Sequence, residues 1–178
     1  MRSALMVVIA VGVALRLWQY AANTSLWFDE IALADGILTL DLWNLLTAPL
    51  PYNQVAPRGF LLAEKFVVAA LGPSDYALRL FPLVCSLVSL VVFARLVTRM
   101  LDGVGPLAAV VLFATAAPFI ACGALVKQYS TDVCVAVVLW WVVYELISQP
   151  VTRYRAGWAA LLGSILIWFS HPGVLMVT

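Results

Sequence analysis

The sequence predicts an all-α fold: a polytopic bundle of transmembrane helices with juxtamembrane amphipathic helices in its first outer loop. Three observations carry that expectation. Of 178 residues, 65% are hydrophobic and only 11% are charged, against about 45–50% apolar in an ordinary soluble domain; mean hydropathy is +1.04. The few charges gather between long apolar runs instead of recurring along them. Most of those runs approach or reach the roughly 20 residues a helix needs to cross about 30 Å of hydrocarbon.

Five runs are read as spans. The first covers about 4–22 and is interrupted only by Arg16. The second covers 76–97, with Arg79 and Arg95 near its ends, where long side chains can reach headgroups. The third, 104–126, contains no charge, and the fourth covers 129–147. The fifth, about 156–176, is still apolar where the sequence stops at Thr178, so the chain is expected to be the amino-terminal portion of a longer protein. The stretch 57–72 is set aside as a span because Glu64 and Lys65 stand together in its middle. Each charge there would cost about 2.5–3.5 kcal/mol at the bilayer centre. An interfacial helix with those charges toward water is the cheaper expectation.

Five spans orient consistently. With the amino terminus cytoplasmic, Arg2, Arg95, Arg99, Arg153 and Arg155 lie inside, whereas Asp29, Glu30, Asp35, Asp41, Glu64, Asp75 and Asp132 lie outside, as the positive-inside rule requires. A cleavable signal is disfavoured, since Arg16 breaks the first apolar run and no small-x-small site follows it. The three cysteines, Cys85, Cys122 and Cys134, sit in apolar stretches and read as small hydrophobic side chains.

The outer loop 23–75 is too long for a simple connection. Ile31, Ala34, Leu38, Leu42 and Leu45 fall at helical spacing, giving a surface helix over about 30–47 with Gly36 as its candidate break. Three prolines between 48 and 57 mark a turn-rich connector, and a second surface helix follows over 57–72.

Two constellations could carry chemistry. Asp29 and Glu30 follow Trp27 and Phe28 just outside the first span. These acids are either solvated beside an aromatic interface anchor, or form a carboxylate site at headgroup height able to take a proton from a hydroxyl. The second is Lys127-Gln128-Tyr129-Ser130-Thr131-Asp132, where Tyr129 and Asp132, and Gln128 and Asp132, share a face once a helix has begun. It is either an ion pair at a helix rim or a phosphate-neutralising lysine with an acid that organises an acceptor or a metal. Arg58 and Arg79 are outer cations suited to headgroups or substrate. Arg16 is an intramembrane charge that needs a partner unless it snorkels. His171 reads as a packing residue, and Asn23-Thr24-Ser25 matches a glycosylation sequon. No Gly-rich phosphate loop, Cys/His zinc spacing or G-x-S-x-G elbow occurs, so no nucleotide cofactor is expected; a divalent metal stays open. Nothing points to nucleic acid.

Four segments together carry a resemblance: Ser25-Leu26-Trp27-Phe28-Asp29-Glu30, Ala56-Pro57-Arg58-Gly59-Phe60-Leu61-Leu62, Leu71-Gly72-Pro73-Ser74-Asp75-Tyr76-Ala77-Leu78-Arg79, and Lys127-Gln128-Tyr129-Ser130-Thr131-Asp132. In this order they resemble the family 39-like membrane glycosyltransferases of the GT-C fold, which include protein O-mannosyltransferases and the lipid A aminoarabinose transferase. The resemblance implies a bacterial plasma-membrane enzyme with its site facing the periplasm or exterior. Its donor would be a polyprenyl-phosphate sugar, and its acceptor a hydroxyl of an unidentified glycan, lipid or protein. It also implies a catalytic Asp29-Glu30 pair with Asp29 as base, and matches Asp132 to a second acid of the relatives. For such a reaction Lys127, with Arg58, is expected to offset phosphate charge, and Tyr129 and Asp132 to shape the substrate pocket. The relatives carry a lysine near the start of the second juxtamembrane helix that is missing here, and many have a proline where Arg58 stands. Two rivals remain: a non-catalytic remnant of such an enzyme, and a transporter or flippase for lipid-linked saccharides. Transporters favour broken helices with polar groups at mid-membrane, whereas the third and fourth runs are clean at mid-depth.

Overall fold

A computed structural model describes residues 2–173, and within them every regular element is a helix. In chain order these are α1 (Arg2–Ala22), α2 (Phe28–Thr39), α3 (Leu42–Thr47), α4 (Arg58–Leu71), α5 (Asp75–Met100), α6 (Gly105–Thr115), α7 (Ala117–Cys122), α8 (Tyr129–Ser148) and α9 (Arg153–Ile167). A 3-10 turn, Pro51–Asn53, lies between α3 and α4. Three of these helices, α1, α5 and α8, are long and apolar enough to cross a membrane. This is compatible with an integral membrane protein.

Helix α5 is central and packs against α1, α4, α6 and α8. Away from those contacts the long helices show apolar side chains outward, among them Met6, Val7, Val11 and Trp18 on α1 and Trp140 and Val143 on α8. That suits hydrocarbon as solvent. One apolar core joins Leu90, Phe113, Ala114 and Val137 to Val8, Ile9 and Val13. A second holds the 23–75 segment to the bundle through Leu33, Ile37, Leu45, Phe60, Leu61, Leu78 and Val126. Full burial of a side chain such as Phe60 stabilises by roughly 1.5–3 kcal/mol.

The uncharged stretch 104–126 is not one continuous helix. Pro118 cannot donate a backbone hydrogen bond and its ring conflicts with the carbonyl four residues back. Accordingly α6 stops at Thr115, Ala116 is extended, and α7 restarts with Pro118 in its first turn. The carbonyls freed at the end of α6 are met by Arg16. Its guanidinium donates to the carbonyls of Ala114 (3.0 Å), Phe113 (3.3 Å) and Gly12 (3.0 Å) and to Ser86 Oγ (2.9 Å). Arg16 is 1% exposed and does not snorkel. It neutralises a helix end, which carries partial negative charge.

The outer segment also departs from its sequence pattern. The surface helix breaks at Leu40-Asp41, not at Gly36, because Asp41 accepts from the N–H groups of Trp43 and Asn44 and caps a new helix. On α2 the inward face is Glu30, Leu33, Ala34 and Ile37, while Ile31 and Leu38 are exposed. Helix α4 forms as expected, but its charges do not both go to water. Glu64 is fully buried with neither carboxylate oxygen partnered among the described residues. Lys65 reaches the carbonyls of Ile37 and Leu40, each at 2.7 Å, and so closes the carboxyl end of α2. The fifth apolar run begins as α9 at Arg153; its expected extension past 173 lies outside the described residues.

Candidate functional site

Two adjacent acids at the start of α2 have opposite environments because neighbouring helical positions face different ways. Glu30, the third residue of α2, turns inward and is 2% exposed. Its Oε2 accepts the N–H of Trp27 (3.1 Å), satisfying a backbone donor at the helix start. Its Oε1 accepts the N–H of Val126 (2.7 Å) and lies 3.9 Å from Arg79 Nη2. Arg79, in the first turns of α5, also donates to Asn23 Oδ1 (2.7 Å) and the carbonyl of Thr24 (2.6 Å). Arg79 is thus buried and occupied, not a headgroup contact, and Asn23 of the sequon is its acceptor. These bonds tie together the end of α1, the start of α2, the start of α5 and the turn leading to α8.

Asp29 turns outward. Its side chain is 61% exposed, yet Oδ2 lies 2.8 Å from the ammonium of Lys127, whose side chain is only 8% exposed. Gln54 completes the group: its Nε2 donates to Asp29 Oδ1 (3.0 Å) and its Oε1 accepts from Lys127 Nζ (2.6 Å). These contacts hold the Asp29 carboxyl below its ordinary range, chiefly through the hydrogen bond from Lys127 and next that from Gln54. Trp27, Asp29, Glu30, Leu125, Lys127 and Tyr129 line a cavity of about 250 Å³ beside this group. The structure therefore joins Asp29, Lys127 and Tyr129, which lie about a hundred residues apart in sequence.

The other expected site residues lie elsewhere. Arg58 lines a separate groove of about 160 Å³ with Leu45, Leu50, Gln54 and Ala56. Asp132 is not in the Asp29 cavity; it faces Ser170 and His171 beyond α9, and its Oδ1 is buried without a partner among the described residues. Gln54, a residue outside every sequence motif above, is the polar link between Asp29 and Lys127. It stands after a turn where Tyr52 and Asn53 take positive φ (56° and 54°), and no local sequence signal marks it. No group of three or more His, Cys, Asp or Glu side chains placed to hold a metal occurs among the described residues.

Fold and site together define an all-helical chain, with three helices able to cross a membrane, that carries a carboxylate–ammonium pair where α2 meets the turn before α8. No protein-family model, curated protein or solved structure shows a significant match to the chain.

Proposed function

We propose that the protein is a membrane glycosyltransferase of the GT-C type. It would transfer a sugar from a polyprenyl-phosphate donor to an acceptor hydroxyl on the outer face of the membrane. The observation that carries this reading is the Asp29–Lys127 pair at 2.8 Å, half open to a cavity rimmed by Trp27 and Tyr129. A polyprenyl phosphate is a competent leaving group, so the reaction chiefly needs a base for the acceptor and a cation for the departing phosphate. Asp29 takes the acceptor's hydroxyl proton as that oxygen bonds to the anomeric carbon with inversion. The bond from that carbon to the phosphate oxygen breaks, and its electron pair leaves with the lipid phosphate, whose charge Lys127 offsets. Glu30 serves by holding the site together, since its carboxylate is consumed by Trp27, Val126 and Arg79.

Translocation of a lipid-linked saccharide is the second reading, favoured by the interruption between α6 and α7. Against it, the carbonyls freed there are already bonded to Arg16, which is itself buried. The deciding experiment is transfer of radiolabelled sugar from defined polyprenyl-phosphate donors by the membrane-reconstituted protein, wild type against Asp29→Asn. Transfer by the wild type and its loss in the variant is the expected result; undiminished transfer by Asp29→Asn sinks the assignment.

A further inference from the structure

Asp29, Lys127 and Gln54 form a closed ring in which each group contacts the other two, at 2.8, 2.6 and 3.0 Å. One carboxylate and one ammonium cancel, so the ring is neutral and self-satisfied. A base held in this way is poorly disposed to accept a proton, because the neighbouring ammonium favours the ionised carboxylate. Its partners must change before it can act.

We propose that Gln54 is a positioning residue that keeps Asp29 on Lys127 in the resting protein, and that a phosphate oxygen opens this lock by taking Lys127, so that the lipid phosphate binds before the acceptor. The inference rests on the glycosyl-transfer reading only for the ligand's identity. Three observations bear on it. Lys127 is the anchored member and Asp29 the accessible one, at 8% and 61% side-chain exposure, so exchange moves the carboxylate and leaves the ammonium in place. An ammonium has three donors; Asp29 and Gln54 take two, and the third has no protein partner among the described residues. That remaining donor belongs to a residue lining the 250 Å³ cavity, where an anionic oxygen would form a charge-assisted bond. Finally, the turn that presents Gln54 holds Tyr52 in the left-handed region, a conformation that costs a residue other than Gly, Asn or Asp about 1–2 kcal/mol. The turn is thus held by its contacts, of which the Gln54 bonds are two, and it can relax when they are lost. Once phosphate occupies the Lys127 ammonium and the Asp29 carboxylate has moved off it, Asp29 loses the partner that most depresses its proton affinity and becomes the better base.

The test is carbodiimide-promoted amide labelling of Asp29, read by mass spectrometry across a pH series. The protein is placed in phosphatidylcholine nanodiscs with or without undecaprenyl phosphate, and retention of that lipid is measured in parallel. Labelling of Glu64, which is fully buried in the folded protein, reports unfolding. Bound undecaprenyl phosphate is expected to raise the Asp29 rate about three- to tenfold and to move its pH midpoint upward, as a shift of about half to one pKa unit would do. Gln54→Ala should raise the rate without lipid and shrink the response, and Lys127→Met should label fast and not respond. An unchanged or slower Asp29 rate with lipid bound overturns the proposal, as does failure of the lipid to bind. A Gln54→Ala variant with wild-type rate and midpoint overturns the role of Gln54. Sugar transfer is scored separately. Transfer with an unresponsive Asp29 sinks the lock alone, and a responsive Asp29 in a protein that never transfers sugar sinks the glycosyltransferase reading alone.

Discussion

Glu30 Oε1 accepts the backbone N–H of Val126 at 2.7 Å, across 96 residues of sequence. This bond places Lys127, the next residue, beside Asp29, the previous one. The two members of the Asp29–Lys127 pair are therefore positioned by a bond between their immediate neighbours. Glu30→Ala would strip Trp27 and Val126 of their acceptor and leave Arg79 buried without its carboxylate. Removing one member of a buried ion pair costs about 3–5 kcal/mol. A loss of this order is expected in denaturant unfolding of the detergent-solubilised protein, whereas Asp29→Asn, at an exposed position, should change stability little.

Arg16 is expected to behave as a structural residue. Arg16→Met leaves the carbonyls of Ala114 and Phe113, at the end of α6, without a donor, and each unsatisfied buried group costs about 1–3 kcal/mol. Unfolding experiments should show a severe loss, and Arg16→Lys should recover only part of it, since an ammonium lacks the planar five-donor fork that spans these acceptors. A wild-type melting temperature for Arg16→Met would refute this role.

Glu64 predicts the sign of a pH dependence. Burial first, and the neighbouring Cys85 second, push its carboxyl well above the ordinary glutamate range. The folded protein then keeps a proton that the unfolded chain has released. Stability is fully present below the ordinary glutamate pKa and declines as pH rises toward the raised native value. Glu64→Gln should flatten that decline, and Glu64→Leu should stabilise the protein at neutral pH by about 1–3 kcal/mol, the cost of an unsatisfied buried polar group. Unfolding free energies measured across a pH series decide it; a slope of equal size in Glu64→Gln would count against the assignment.

Gly59 predicts how α4 is seated. Its N–H donates to the carbonyl of Trp168 at 2.7 Å, and a Cβ there would stand 2.7 Å from that same oxygen and 2.9 Å from the ring of Phe169. Backbone cannot yield cheaply, so Gly59→Ala should destabilise by about 1–3 kcal/mol, as overpacking does. It should also speed exchange of the amide at position 59 and of the first turn of α4, which hydrogen-exchange mass spectrometry would detect.

What could be read from the residues one at a time concerned their solvent. The length and purity of the runs that became α1, α5 and α8 follow from composition and a 1.5 Å rise per residue. The demotion of 57–72 to a shorter helix follows from Glu64 and Lys65 in the same way, as does the pairing requirement on Arg16. Where a sequence pattern has two local solutions, the residues were less informative. Pro118 interrupts the third run and Asp41 restarts a helix, although the apolar pattern continues across both.

The residues alone did not separate Asp29 from Glu30; only the resemblance singled out Asp29 as the base. By sequence they are two acids in one helical turn, equally able to be reactive. Only the docking of α2 on α4, with Glu30 reaching Arg79 of α5 and the turn before α8, turns Glu30 into a buried tie and leaves Asp29 open beside Lys127. The same packing brings in Gln54, separated from Lys127 by 73 residues, and excludes Arg58 and Asp132 from the cavity. The sequence by itself determined which stretches prefer hydrocarbon and where charge is tolerated, because transfer free energy is a property of each side chain. The tertiary structure alone decided which charges meet, because a contact between distant residues exists only once the helices between them have docked.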